Sequence, residues 1–463
     1  MKVRAVLCAA SVAAACCAAA GSARAASAAP ACCVRLSLDL RAYGVRGRGT
    51  IVVDVRDGRF VRRFALGPAS EAEGWNGAAA WRSDATGMAR VQGDRGERAE
   101  IAGWSRALLA ALRGGAASAL TASSQDTDRI AFSGFRRFGD LHVPSAIVSR
   151  SSANGTWTAR VAHVAFITPG AATFAPPAPP HDAILTSPVT TVPFAIASGT
   201  PQIVVRVNGA ALRMFLDSGG QNVITESAAR RAGLRVVGRA TVAGGGGVAP
   251  IRFAFARSVR VGGATLRHQP YIVLADAALF GADGIIGYEL FARFAAKLDR
   301  LHGTVSLARS ARAFGPARGA TPFAFIDRQP EVPGALDGVA GVFTLDTGSS
   351  IPASVNAEFV AAHHLVRVLH AHRTVGGAGV GGRYRMYLVH GTALRLGNAV
   401  VTHPLLTLLQ RPGVWNGPYA PIANVGWPIL RRWTLVLDYP ERSVQLRPPL
   451  TLPAGLQPGG QPR

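Results

Sequence analysis

Apolar and polar residues alternate in short runs along most of this chain, the period expected of strands with one buried face. Arg35 to Leu40, Thr50 to Val55 and Trp157 to Val161 predict strands of a half-buried antiparallel sheet within residues 26–170. Turn signals at Asp57-Gly58, Trp75-Asn76-Gly77 and Ala153-Asn154-Gly155 separate such runs. Ile101 to Leu112 carries helical spacing instead and meets a stop at Gly114-Gly115. Residues 171–189 contain Ala-Pro-Pro-Ala-Pro-Pro and read as a stiff linker. The strand pattern then resumes over 190–310 and 321–450, with a break rich in Ala, Gly, Arg and Pro at 311–320. The Gly/Pro/Gln-rich end, 451–463, reads as a disordered tail.

The two later segments follow one plan. An apolar run leads to Asp217-Ser218-Gly219-Gly220 in the first and to Asp346-Thr347-Gly348-Ser349 in the second. Asn208-Gly209 and Asp337-Gly338 place a turn at the same distance before each Asp. Short helices follow at 226–232 and 357–364, with Thr225 and Asn356 at the expected N-caps. Glycine clusters come next: Gly244, Gly245, Gly246 and Gly247, then Gly376, Gly377, Gly379, Gly381 and Gly382. Ile285-Ile286-Gly287 precedes Phe294 and Asp299 at the spacing by which Asn424-Val425-Gly426 precedes Trp433 and Asp438. So many matches in one order predict an internal duplication.

Such a plan brings Asp217 and Asp346 face to face. Two close carboxyls cannot both ionise, so they share a proton over a wide pH range. A water between them then meets a base, while the protonated partner can donate to a carbonyl oxygen. Gly219 and Gly348 allow a sharp turn beside each carboxyl, and Ser218 and Thr347 supply hydroxyls able to bond across the pair.

On these motifs, residues 190–450 resemble an aspartic protease of the pepsin/retropepsin type. The resemblance implies a mainly β, bilobal acid protease fold of two related closed β-barrel lobes. It also implies Asp217 and Asp346 as catalytic residues, Ser218, Gly219, Gly220, Thr347, Gly348 and Ser349 as loop support, and Ile285, Ile286, Gly287, Val425 and Gly426 as the hydrophobic-Gly motif beneath the loops. Both glycine clusters fall where flaps are expected; one in each lobe is more retropepsin-like than pepsin-like. Three departures stand out. Gly220 replaces the usual hydroxyl or Ala, Asn424 stands where an apolar residue is expected, and Gln410 to Ile422 is long enough to border the cleft. With Ser349 serving Asp346 alone, Asp346 is expected to ionise more readily than Asp217. Residues 26–170, with Gly74-Trp75-Asn76-Gly77 and Trp81-x-x-Asp84, resemble the half-barrels of lipoprotein carriers, a generic antiparallel β-sheet accessory domain being the alternative.

The net charge of +24 rests on arginine, since Lys2 and Lys297 are the only lysines. No basic block or aromatic-interleaved basic motif accompanies it, so nucleic acid is not expected as a partner. Lys2 and Arg4, the apolar run to Ala20 and Ala23-Arg24-Ala25 predict a signal peptide over 1–25, hence export to the periplasm or exterior. Lipid attachment at Cys16 or Cys17 is an alternative, and an envelope association would follow from it. No later run is long enough for a transmembrane helix. The adjacent Cys32 and Cys33 cannot staple distant segments. His363-His364 and His370-x-His372 lack the carboxylate or Cys spacing of a metal site, and no cofactor is expected. The reading is an exported aspartic endopeptidase acting as a monomer on peptides or proteins; a catalytically silent peptide- or envelope-ligand-binding protein is the rival.

Overall fold

The computed structural model describes residues 32–448 except 92–94, 115–117, 123–126, 152–154, 280, 318 and 412–419. The expected signal peptide with Cys16 and Cys17, the tail, and most of the 410–422 segment lie outside the described residues.

The first region is a ten-stranded antiparallel sheet. The strands expected from alternation are there and longer: Cys33–Ala42, Val45–Asp54 and Gly155–Ile167. Their inward residues, among them Leu36, Leu38, Leu40 and Ile51, pack with Ile101, Trp104, Leu108 and Leu112 of a helix laid on the sheet. Burying each such side chain stabilises the sheet–helix pair by about 1.5–3 kcal/mol. The helix spans Arg95–Leu112 and so starts six residues earlier than its apolar spacing predicts. Its opening Arg-Gly-Glu-Arg-Ala-Glu is too polar for apolar periodicity to register. Gly114, at φ +81°, ends it.

The proline-rich stretch is anchored at both ends. The Phe174 carbonyl accepts Trp81 Nε1–H at 2.9 Å, and Asp182 pairs with the buried Arg293 at 2.7 Å. Ala183–Leu185 and Val189–Pro193 then enter sheets of the following region.

There, two hairpins are built alike. Thr200–Val207 turns at Asn208-Gly209 into Ala210–Leu216; Gln329–Leu336 turns at Asp337-Gly338 into Val339–Asp346. Both turn pairs have positive φ, 48° and 96° in the first and 47° and 87° in the second, as tight two-residue hairpins require. Each second strand pairs in parallel with a later one: Leu216 opposite Ile286, and Leu345 opposite Val425. The two hairpins belong to a nine- and a ten-stranded sheet. A third sheet of six strands mixes both halves, Ala295–Asp299 lying against Thr434–Asp438 with Ala296 opposite Leu437. One continuous core runs from Ile203 to Val444 through both halves.

Smaller features separate the halves. Thr225 caps its helix, its hydroxyl accepting from Ala228 N at 3.2 Å. Asn356 does not cap; its amide reaches the Pro421 carbonyl at 3.0 Å instead. Asp299 and Asp438 close turns by accepting backbone amides of Leu301 and Glu441. Among the described residues no helix is long and apolar enough to cross a membrane.

Candidate active site

Strands Ala210–Leu216 and Val339–Asp346 end side by side, joined across the halves at Ser218 and Thr347, and the chain turns at once after each Asp. The side chains of Asp217 and Asp346 hydrogen-bond to each other. Each also accepts an amide from its own loop, Gly219 N to Asp217 Oδ1 at 2.8 Å and Gly348 N to Asp346 Oδ1 at 2.9 Å. A Cβ on Gly348 would fall 2.3 Å from Asp217 Cγ, and one on Gly219 would fall 2.7 Å from Asp346 Cγ. The carboxyls approach because those side chains are missing.

Ser218 and Thr347 lock the loops reciprocally. Ser218 Oγ donates to Leu345 O at 2.7 Å and accepts Thr347 N at 3.0 Å; Thr347 Oγ1 donates to Leu216 O at 2.7 Å and accepts Ser218 N at 2.9 Å. Both hydroxyls are fully buried, where these bonds are hard to replace with water. Tyr439 adds a donor to the Ser218 carbonyl at 2.6 Å. Beneath the loops, Tyr288 N reaches Gly220 O and Trp427 N reaches Ser349 O, each at 2.9 Å. Gly287 and Gly426 permit this approach, since a Cβ would lie 2.4 Å from Gly220 O and 2.0 Å from Ile351 O. Ile286 and Val425 are fully buried beside them, whereas Ile285 lines the cleft.

Burial pushes both carboxyls above the usual carboxylate range. Asp217 is raised further by the charge of Asp346. Asp346 is helped to ionise chiefly by Asn424, whose Nδ2 donates to Oδ2 at 2.7 Å. The asymmetry expected from Ser349 thus has a different source. The Ser349 hydroxyl turns to the Ile351 backbone, and Asn424, an apparent misfit in its motif, serves Asp346. Ile285 occupies the matching place in the first half and offers no donor. A side chain at Gly220 would press on Asp217 Oδ2 at 2.6 Å, so the missing hydroxyl leaves room rather than a gap.

Both glycine clusters sit at hairpin tips. Val236–Gly244 returns as Gly247–Val261, and Thr374–Gly379 returns as Gly382–His390. The tips touch: Gly246 N donates to Val380 O at 3.0 Å. A Cβ on Gly246 would meet Gly382 O at 2.1 Å, one on Gly381 would meet Gly247 at 2.2 Å, and one on Gly244 would meet Val380 O at 2.5 Å. Gly376 faces open space and has no part in this contact, while Gly377 leaves room for Tyr384 and Met386. Beneath the tips lies a cavity of about 1150 Å³ containing Asp217, Asp346, Asn424 and Tyr384. Tyr384, unassigned from sequence, has its phenol pKa raised by burial and by the nearby charge of Asp346.

The cavity extends to the N-terminal sheet, with Arg62, Glu73, Arg82 and Arg90 on its wall. Gln329 connects this region to the loops by donating its Nε2 to Gly219 O. None of these was recognisable from local spacing. The histidine pairs gather no metal-like set; among the described residues the one such cluster is Cys32, Cys33 and Asp54. There Asp54 already accepts from Arg56 and Arg59, and both cysteines are free thiols.

Residues 203–290, which include Asp217 and the first hairpin tip, match the family described as aspartyl protease. A solved retropepsin-like aspartic protease from Rickettsia conorii is 20% identical, over 26% of this chain and 90% of that one, at a TM-score of 0.21. No curated protein matches this chain.

Proposed function

We propose that this chain is an exported aspartic endopeptidase that hydrolyses peptide bonds with a water activated between Asp217 and Asp346. The observation that carries the reading is the hydrogen-bonded carboxyl pair, locked by Ser218 and Thr347 at the floor of a cavity roofed by two hairpin tips. The aspartyl protease match over 203–290 supports the chemistry, and the paired hairpins with parallel closing strands support an origin by duplication.

In the proposed step Asp346, ionised beside Asn424, takes a proton from water as the water oxygen attacks the peptide carbonyl carbon. Asp217 gives its proton to the carbonyl oxygen, leaving a neutral tetrahedral diol. The diol then returns one hydroxyl proton to Asp217, the amide nitrogen receives the proton held by Asp346, and the C–N bond breaks. The pair regains its starting protonation, and no covalent intermediate forms. The tips must part for a chain to enter and close to exclude bulk water.

The test is digestion of a peptide library from acid to neutral pH by wild type, Asp217→Asn and Asp346→Asn, with folding checked by thermal melting. Wild type should cleave internal bonds and both variants should lose at least a thousandfold in kcat/KM. Cleavage by the variants at the wild-type rate would discard the dyad. Peptide binding by folded wild type without any cleavage would favour the silent binding protein.

A further inference from the structure

The turn at 327–328 links two parts of the molecule. It precedes Gln329, which touches the Asp217 loop, and it receives Arg90 from the N-terminal sheet: Arg90 Nε donates to Asp327 O at 2.8 Å, and its Nη2 lies 3.4 Å from Asp327 Oδ1. Arg328 Nη1 lies 3.5 Å from the same carboxylate oxygen. Two guanidiniums thus lean on one acid. Neighbouring cations have carboxylates of their own: Arg82 contacts Glu73 and Glu100, and Arg62 contacts Glu71 and Glu73.

Arg90 and Arg328 still have capacity. Arg90 is 3% exposed and its Nη1 has no acceptor, and Arg328 Nε is likewise buried without one. Both line the cavity that holds Asp217 and Asp346. Buried guanidinium N–H groups are costly to leave unbonded and are best satisfied by a charged oxygen acceptor. Asp84 and Glu289, which line a smaller cavity together with Arg328, interact with its charge without supplying that acceptor. Arg90 also rests on the Tyr288 ring, 5.2 Å from its centroid, which fixes the guanidinium plane.

We propose that the N-terminal sheet forms one end of the substrate cleft and that Arg90 and Arg328 bind a carboxylate of the bound peptide. The carboxylate is a Glu or Asp side chain, or the free C-terminus. The proposal rests on peptide cleavage by the Asp217/Asp346 pair but can fail separately from it. Such a site would select where along a chain the enzyme cuts, and it gives the N-terminal sheet a direct role in recognition.

The experiment compares matched peptides differing by Glu or Gln at each position around the cut, each with a free or an amidated C-terminus. Cleavage by wild type and Arg328→Gln is measured, and binding is followed by fluorescence anisotropy on Asp217→Asn with and without Arg328→Gln. A preference of about tenfold or more for one charged form, lost in Arg328→Gln while neutral amidated peptides are handled unchanged, supports the site. Preference for Glu at one position identifies a side chain, and preference for the free terminus identifies the chain end. Arg328→Lys should recover part of the preference, and Arg90→Gln should reproduce the loss if it remains folded. Equal handling of charged and neutral peptides by wild type would overturn the proposal and leave water as the partner of these N–H groups. Equal loss on all peptides in Arg328→Gln would overturn it too, reducing Arg328 to a structural role. Binding preference without cleavage would reject the protease reading alone; cleavage without preference would reject the carboxylate site alone.

Discussion

At Asp346 burial raises the carboxyl pKa, and the Asn424 amide is the foremost of the hydrogen bonds that oppose it. Asn424 donates to Oδ2, and removing that donor in Asn424→Leu leaves the charged form less favoured. The acidic limb of the kcat/KM profile should therefore move to higher pH, with the protein still folded; an unmoved limb would remove Asn424 from the site. Ser218→Ala tests the lock. It strands Leu345 O and Thr347 N in a buried place, and a loss of about 2–5 kcal/mol in chemical denaturation is expected. The aspartates themselves were legible because each stands eight residues after the glycine of a turn and is followed by the same modules in the same order. Asn424 was not. Its partner is set by parallel pairing of strands far apart in sequence, Thr344 opposite Asn424, and local spacing describes it only as a polar residue in an apolar motif.

Among the elements, the two hairpins with glycine tips depend on each other. Gly246→Val would force its side chain into Gly382, and the tips would separate. We expect KM to rise at least tenfold with a smaller effect on thermal stability, because no tip residue belongs to the main core, Val380 packing only against a smaller apolar cluster. A Gly376→Ala control, made where a Cβ meets nothing, should be near neutral on both counts. Strand positions in the N-terminal sheet were readable from alternation where inward and outward residues alternate, as along Cys33–Ala42. The start of its helix was hidden by polar opening turns. Tyr384 escaped notice for another reason: it is reached only by folding one hairpin over the cleft, and its sequence neighbours Arg383 and Arg385 mark it as an ordinary surface tyrosine.

For the molecule as a whole, acid and base act on opposite ends. Asp217 has a raised pKa in the fold, so its contribution to stability is complete below the ordinary Asp value and lost as pH rises through the folded one. Asp217→Asn cannot ionise and should melt at a higher temperature than wild type at neutral pH, the difference shrinking in acid. Asp54 behaves in the reverse sense. Burial raises it, but hydrogen bonds from Arg56 and Arg59 prevail and hold it down at about 2. Its contribution is present above the ordinary Asp value and fades as pH falls toward 2. Arg59→Ala should therefore weaken the N-terminal sheet at neutral pH and matter less in strong acid, as hydrogen exchange resolved by region would record.

The placing of this sheet against the cleft depends on contacts between residues more than two hundred positions apart, such as Arg90 with Asp327, and no local pattern announces them. The lock between Ser218 and Thr347 has a last consequence. Both partners belong to one polypeptide, so dilution cannot separate them: turnover per molecule should be constant from micromolar to picomolar enzyme. Being encoded separately, the halves are also free to diverge. One presents an amide at Asn424 where the other has Ile285, an asymmetry closed to any pair of identical subunits.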